Sequence, residues 1–130
     1  VYADVVGDVR TFLAERIRDA MAAGIPRDRI VVDPGFGFGK TLAHNLRLLE
    51  SLDRFVALGV PVLAGISRKS MIGTLLGDRP VDDRLHGSVA AAVIAAMKGA
   101  RILRVHDVGA TVDALKVVTA VMESAQESDG

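Results

Sequence analysis

Residues 31–40 read Val31-Val32-Asp33-Pro34-Gly35-Phe36-Gly37-Phe38-Gly39-Lys40, and they join a β-branched run to a glycine-rich loop. The run from Ile30 to Val32 predicts a short buried strand. The segment from Thr41 to Leu58 carries leucines at helical spacing and predicts a helix. Asp33 then lies at the carboxyl end of a strand, and the glycines after it let backbone approach a molecule bound there.

Two phosphate-binding patterns come close to this stretch and fail. A Walker A loop needs a glycine five residues before the Gly of Gly-Lys-Thr, and that position is Pro34. A dinucleotide fingerprint, G-x-G-x-x-G, needs a glycine three residues after Gly37, and that position is Lys40. An ordinary strand-to-helix turn is the plain alternative, although such a turn rarely needs two aromatic residues among three glycines.

Composition and charge indicate a globular domain, or a part of one, in 130 residues of which half are hydrophobic and a quarter charged. Sixteen basic residues balance sixteen acidic ones, so no net charge directs the chain to nucleic acid or a membrane. The absence of cysteine excludes disulfides and thiolate metal clusters. The longest apolar run, 57–66, is too short for a membrane span of about 20 residues. We expect a cytoplasmic protein, and Val1 suggests that the sequence begins inside a longer one.

Further helices and strands follow from periodicity and from capping residues. Asp4 predicts the start of a first helix and Gly24 its end. The continuous apolar run 60–66 predicts a strand in a parallel sheet that is covered on both faces. Asp82 or Asp83 is expected to cap a third long helix.

A third strand over 101–105 and a last helix through Val112 to Met122 complete an α-(βα)₃ pattern with parallel strands. Asp33, Lys69 and His106 follow the three strands at intervals of 36 and 37 residues. Polar groups at strand carboxyl ends are typical both of a (β/α)₈ barrel and of an open α/β sheet. Three strands alone cannot close a barrel, which takes about 250 residues.

Three motifs stand out at the strand ends: residues 33–40, Ser67-Arg68-Lys69-Ser70 and Arg104-Val105-His106-Asp107-Val108. They resemble motifs of the dihydropteroate synthase family, in the same order and spacing, and the resemblance covers essentially all 130 residues. The resemblance implies a partial (β/α)₈ TIM barrel, with residues 1–130 forming the carboxyl-terminal portion, the last three βα units, of a single pterin-binding domain. It implies condensation of 6-hydroxymethyl-7,8-dihydropterin pyrophosphate with p-aminobenzoate to 7,8-dihydropteroate. Since the first five strands are missing, residues 1–130 alone are expected to be inactive.

The residues suit this reaction by their chemistry. The carboxylate of Asp33 can accept paired N–H donors from an aminopyrimidine edge, although a local turn is the common role for such an aspartate. Arg104 and His106 alternate along a strand, so both project to one side, where their charge suits a pyrophosphate leaving group. The alternative is an ion pair between Arg104 and Asp107, with His106 as a structural turn residue.

Lys69 and Ser70 suit the aminobenzoate, because Ser70 lies near a predicted helix start that attracts a carboxylate. The resemblance implies that Lys69 bridges the two substrates and that Gly37 and Phe38 form the wall of the aminobenzoate pocket. It implies that Gly65 lines the pterin floor. The predicted catalytic residues are Lys69, Arg104 and His106, and no residue of this chain is predicted as a metal ligand.

Other residues near the motifs have two interpretations or none. Phe36 fits the core, and Arg68 and Lys40 either add positive potential or are solvated surface charges. His44 and His86 receive no role. The run from Arg84 to Ser88 also resembles the family but suggests no catalytic part.

The resemblance also implies partners and a cofactor. Mg²⁺ is expected, with ligands outside this segment, together with sulfonamides as competitors and a homodimer. One alternative is a related barrel such as a methyltetrahydrofolate methyltransferase domain, and another is a non-catalytic fragment.

Overall fold

The computed structural model describes residues 4–126, which contain six α-helices and a small parallel sheet. The helices are α1 Val5–Ala22, α2 Leu42–Glu50, α3 Leu52–Val56, α4 Ser70–Leu75, α5 Leu85–Met97 and α6 Val108–Ser124. The strands are β1 Leu63–Ala64 and β2 Ile102–Leu103. This order confirms the predicted α-(βα)₃ pattern. No helix in the described range has the length and apolar character to cross a membrane.

The sheet is parallel and follows chain order. Leu63 pairs with Ile102 and Ala64 with Leu103, while an isolated parallel bridge joins Val32 to Val62. The predicted strand 30–32 is therefore a single bridge, and the runs 60–66 and 101–105 contribute only their middle residues. One cause lies at position 61, because proline has no amide hydrogen to extend the ladder.

The two faces of the sheet differ. Val32, Val62 and Ala64 are buried in the core with Phe36, Leu48, Leu52 and Phe55. On the other face Val31 is 47% and Ile102 40% exposed. The prediction of a sheet covered on both faces is therefore wrong for the described residues, because the helices pack on one face only.

Helix caps match the prediction at the first helix and depart from it later. Asp4 caps α1 through a hydrogen bond from the Gly7 amide to its carboxylate, 3.1 Å, and Gly24 ends that segment with φ +98°. The single helix predicted over 41–58 is two helices. The chain turns at Ser51, which ends α2 and precedes α3 with φ −101° and ψ 19°.

The predicted cap of the third long helix is wrong. The third long helix is α5, which begins at Leu85, and the preceding Arg84 makes no side-chain capping hydrogen bond. Asp83 belongs instead to a preceding turn, in which its amide donates to the carbonyl of Pro80 at 3.0 Å. The alanines of α5 do allow close packing, since Ala91, Ala92 and Ala95 are buried.

Candidate active site

One face of the sheet carries the polar residues that follow its strands. Side chains alternate between the two faces, so the register of Val32, β1 and β2 places Asp33, Gly65 and Arg104 opposite the buried core. Gly65 and Arg104 are neighbours across this face. A Cβ added to Gly65 would lie 3.7 Å from the Cβ of Arg104, so a larger side chain would occupy space on this face beside Arg104. Asp33 and Arg104 are both exposed.

The glycine loop depends on left-handed backbone. Gly35, Gly37 and Gly39 have φ of +77°, +91° and +61°, which side chains other than glycine rarely adopt. The Asp33 carboxylate accepts a hydrogen bond from the Gly35 amide at 2.8 Å. The alternative role of Asp33, a hydrogen bond within a local turn, is therefore present, and it uses one carboxylate oxygen. A second oxygen is left for a ligand.

Asn45 anchors the loop and was missed by the sequence analysis. It is only 4% exposed, its side-chain oxygen accepts from the Gly37 amide at 2.9 Å, and its side-chain nitrogen donates to the Thr41 carbonyl at 3.1 Å. The sequence feature that could have identified Asn45 is its position on the same helix face as Leu48 and Leu49. His44 has a structural role here, because it forms a capping box with Thr41 at the start of α2.

Lys69 brings the second motif to this loop. Its ammonium donates to the carbonyl of Phe36 at 2.6 Å and lies 5.2 Å from the centre of the Phe38 ring. Phe38 is 73% exposed, whereas Phe36 is fully buried in the core. A Cβ added to Gly37 would lie 3.6 Å from Cδ of Lys69. The structure therefore brings Gly37, Phe38 and Lys69 together, and their role in one pocket stays a prediction.

The electrostatics of Lys69 favour an anionic ligand. Burial lowers the pKa of its ammonium, the charges of Arg104 and Lys40 lower that pKa further, and Asp33 opposes them. Lys40 is not a fully solvated charge, because it donates to the carbonyls of Gly35 and Phe38 at 2.8 and 3.2 Å. A negative group bound among these cations would relieve their mutual repulsion.

Arg68 is paired with a carboxylate rather than solvated. Its Nη2 and Nε lie 2.9 and 3.4 Å from the two carboxylate oxygens of Asp107. The alternative that paired Asp107 with Arg104 is therefore wrong. The hydrogen bond from Arg68 also lowers the pKa of the Asp107 carboxyl.

His106 is held by a buried serine that sequence reasoning left without a role. The Ser67 hydroxyl oxygen accepts from the His106 amide at 3.2 Å and lies 3.0 Å from Nδ1 of the imidazole. The only sequence feature that pointed to Ser67 was its position inside the second motif. Ser70 is exposed at the start of α4, as predicted. His86 is exposed.

The described residues form a groove beside the glycine loop but no cluster of metal ligands. Within residues 4–126 no three His, Asp or Glu side chains converge as a metal ligand set. A groove of about 400 Å³ opens beside the glycine loop, lined among others by Phe12, Leu13, Asp33, Pro34 and Lys40.

Sequence comparison points to one enzyme family. Residues 1–106 match the family described as pterin binding enzyme. A dihydropteroate synthase of Haemophilus influenzae is 56% identical over 116 residues, which cover 89% of this chain and 42% of that protein. The Escherichia coli K12 dihydropteroate synthase is 51% identical over 127 residues, 98% of this chain and 44% of that protein. The chain spans a little under half the length of these relatives.

Solved structures agree. A dihydropteroate synthase from Xanthomonas albilineans in complex with 7,8-dihydropteroate superposes with a TM-score of 0.92 at 56% identity, covering 94% of this chain and 47% of that one. One from Thermus thermophilus in complex with 6HMPPP gives 0.89 at 55% identity, covering 94% and 48%. The predicted partial (β/α)₈ barrel is confirmed. The chain therefore belongs to the pterin-binding enzyme family, and it has the fold of about half of a dihydropteroate synthase.

Proposed function

We propose that residues 1–130 are the carboxyl-terminal half of a dihydropteroate synthase and carry its residues for both substrates. The observation that supports this most directly is the position of Lys69. Its ammonium contacts the glycine loop and interacts electrostatically with Asp33 and Arg104. Solved relatives hold 7,8-dihydropteroate and 4-aminobenzoic acid.

The pterin ring is proposed to bind on the polar sheet face. Asp33 offers the carboxylate oxygen that is not used by the Gly35 amide, and this oxygen accepts N–H donors of the aminopyrimidine edge. Gly65 leaves room for a flat ring beside Arg104. The planar guanidinium of Arg104 stacks on such a ring or binds a phosphate in a fork.

Arg104 and His106 are proposed to hold the pyrophosphate. The bond between the pterin methylene carbon and the pyrophosphate oxygen breaks, and its electron pair leaves with the pyrophosphate. Negative charge therefore grows on the leaving group, where cations and N–H donors stabilise the transition state most. Ser67 orients His106 for this role.

The aminobenzoate is proposed to lie between Lys69 and the exposed ring of Phe38, above Gly37, with its carboxylate on Ser70. Its amino nitrogen forms the new bond to the methylene carbon and then loses a proton. Lys69 lies over the Phe38 ring and interacts electrostatically with Asp33, which supports a contact of its ammonium with both substrates. We also propose Mg²⁺ bound by residues outside this segment, sulfonamides as competitors, a homodimer and a cytoplasmic location.

The test uses the full-length enzyme, meaning a chain that contains residues 1–130 and extends to the length of its relatives. We expect it to form dihydropteroate from the two substrates, and Lys69→Ala to lower kcat/KM by about 100-fold. The matched control is Lys116→Ala on the exposed face of α6, with unchanged kinetics. Methyl transfer to a corrinoid without dihydropteroate formation would favour the related methyltransferase barrel. Residues 1–130 alone should show no turnover and should self-associate.

A further inference from the structure

Arg84 lies outside the proposed substrate contacts, yet it binds the motif that carries them. Its Nη1 donates to the carbonyl of Arg68 at 2.8 Å, and its Nε donates to the carbonyl of Arg79 at 2.9 Å. The Arg68 carbonyl belongs to the peptide that leads directly into Lys69. One guanidinium therefore ties the loop before α5 to the backbone of the second motif.

The backbone that Arg84 holds is in an unusual conformation. Arg68 has φ +59°, in the left-handed region that non-glycine residues rarely occupy. Its amide donates to the buried hydroxyl of Ser88 at 2.9 Å, and its guanidinium is paired with Asp107. The amide, the carbonyl and the side chain of Arg68 are thus each fixed by a residue outside the motif. Such a conformation persists only when its surroundings hold it.

Gly73 provides the space for the Arg84 guanidinium. This glycine is buried in α4, and a Cβ added to it would lie 2.5 Å from Nη2 and 2.6 Å from both Cζ and Nε of Arg84. Real Cβ contacts are not this short, so alanine at position 73 would displace the guanidinium. Because the guanidinium is the far end of a flexible side chain, it can swing outward at little cost to the fold.

We propose that Arg84, seated against Gly73, is a positioning residue that fixes the Arg68–Lys69 peptide and thereby aims Lys69 and Ser70 at the aminobenzoate. The proposal rests on the proposed function for its substrate. It assigns no contact between Arg84 and any substrate. Asp33 and Arg104 follow other strands, so these two pterin contacts do not depend on this brace.

The test measures both Michaelis constants in the full-length enzyme. Arg84→Lys keeps the charge but loses the planar fork that binds two carbonyls. Gly73→Ala displaces the same guanidinium without changing it. Because Lys69 is also proposed to contact the pterin, we expect each variant to raise KM for p-aminobenzoate about tenfold and KM for the pterin pyrophosphate by a smaller factor, about threefold at most. The double variant should be no worse than either single one, because both break the same contact.

Gly87→Ala is the matched control. A Cβ at Gly87 would lie 2.6 Å from Cγ2 of Ile72 and 3.0 Å from Cδ1 of Leu76, so it crowds α4 without contacting Arg84. Its ratio of the two KM values should equal that of the unmodified enzyme. Equal losses for both substrates in Arg84→Lys and Gly73→Ala, or the same KM split in Gly87→Ala, would overturn the proposal.

A second readout does not depend on activity. The Lys69 amide donates to the Ile66 carbonyl at 3.0 Å, so its hydrogen exchange reports on this loop. Exchange should be faster in Arg84→Lys and Gly73→Ala and unchanged in Gly87→Ala. An enzyme without synthase activity whose exchange follows this pattern would contradict the proposed function and leave the brace supported. Unchanged exchange in all three variants would contradict the brace.

Discussion

The Ser67 hydroxyl contacts both the backbone and the imidazole ring of His106. Its oxygen accepts from the His106 amide and lies 3.0 Å from Nδ1. A hydroxyl oxygen that accepts from an amide can also accept from Nδ1–H or donate its own hydrogen to Nδ1. We predict the second arrangement, in which Ser67 donates to Nδ1 of a neutral imidazole. The ring hydrogen then sits on Nε2, where it can be donated to an oxygen of the leaving pyrophosphate.

Ser67→Ala should therefore change the tautomer of His106. We expect imidazole ¹⁵N shifts of the neutral ring to indicate mainly Nε2–H in the unmodified protein and a mixture of both tautomers in the variant. Loss of the buried hydrogen bonds should cost about 1 kcal/mol of stability. Ser124→Ala, near the end of α6, is the control. Identical ¹⁵N shifts with and without the Ser67 hydroxyl would show that it does not set the tautomer.

His106→Ala separates the two parts of the substrate. If His106 holds the pyrophosphate, its loss should weaken binding of pyrophosphate and spare the free hydroxymethyl pterin. The rate of bond cleavage should also fall, since charge grows on the leaving group. The measurement is a paired titration of the full-length variant with both ligands at one ionic strength. Equal losses for the two ligands would make His106 a structural residue.

Asp33→Asn tests the pterin contact. The Gly35 amide donates to the Asp33 carboxylate, so asparagine is expected to keep its oxygen there and turn its NH₂ toward the ligand. A donor would then face the donors of the pterin ring, and calorimetry should show binding weaker by roughly 2–4 kcal/mol. Asp53→Asn, an exposed aspartate on α3, should bind pterin normally. Unchanged affinity in Asp33→Asn would remove Asp33 from the site.

Sequence reasoning found the parts of the site that local chemistry defines. Strand ends follow from apolar runs, so the sheet edge with Asp33 and Arg104 could be predicted. The glycine loop follows from its glycines, and the Asp4 cap from its position. Lys69 beside Phe38 rested on the family resemblance, and the structure brings these side chains within 5.2 Å.

Sequence reasoning missed the contacts that join residues distant in the chain. Arg68 and Asp107 are 39 positions apart, and no local pattern distinguishes this pair from the rejected pair of Arg104 and Asp107. The same holds for Ser88, whose hydroxyl binds the Arg68 amide 20 positions away. Strand lengths were overestimated because apolar runs report burial rather than backbone pairing.

Asp107→Asn should destabilise the protein in a pH-dependent way. The Arg68 hydrogen bond lowers the pKa of Asp107 from its ordinary value of 3.8, so its contribution to stability is present above that value and is lost as the pH falls through the lowered pKa. In the full-length enzyme, the thermal unfolding midpoint of the variant should lie below that of the unmodified protein at about pH 6. The difference between the two midpoints should be smaller at about pH 3. Asp113→Asn, exposed on α6, should show no such gap. A gap of equal size at both pH values would mean that the ionised pair with Arg68 is not its source.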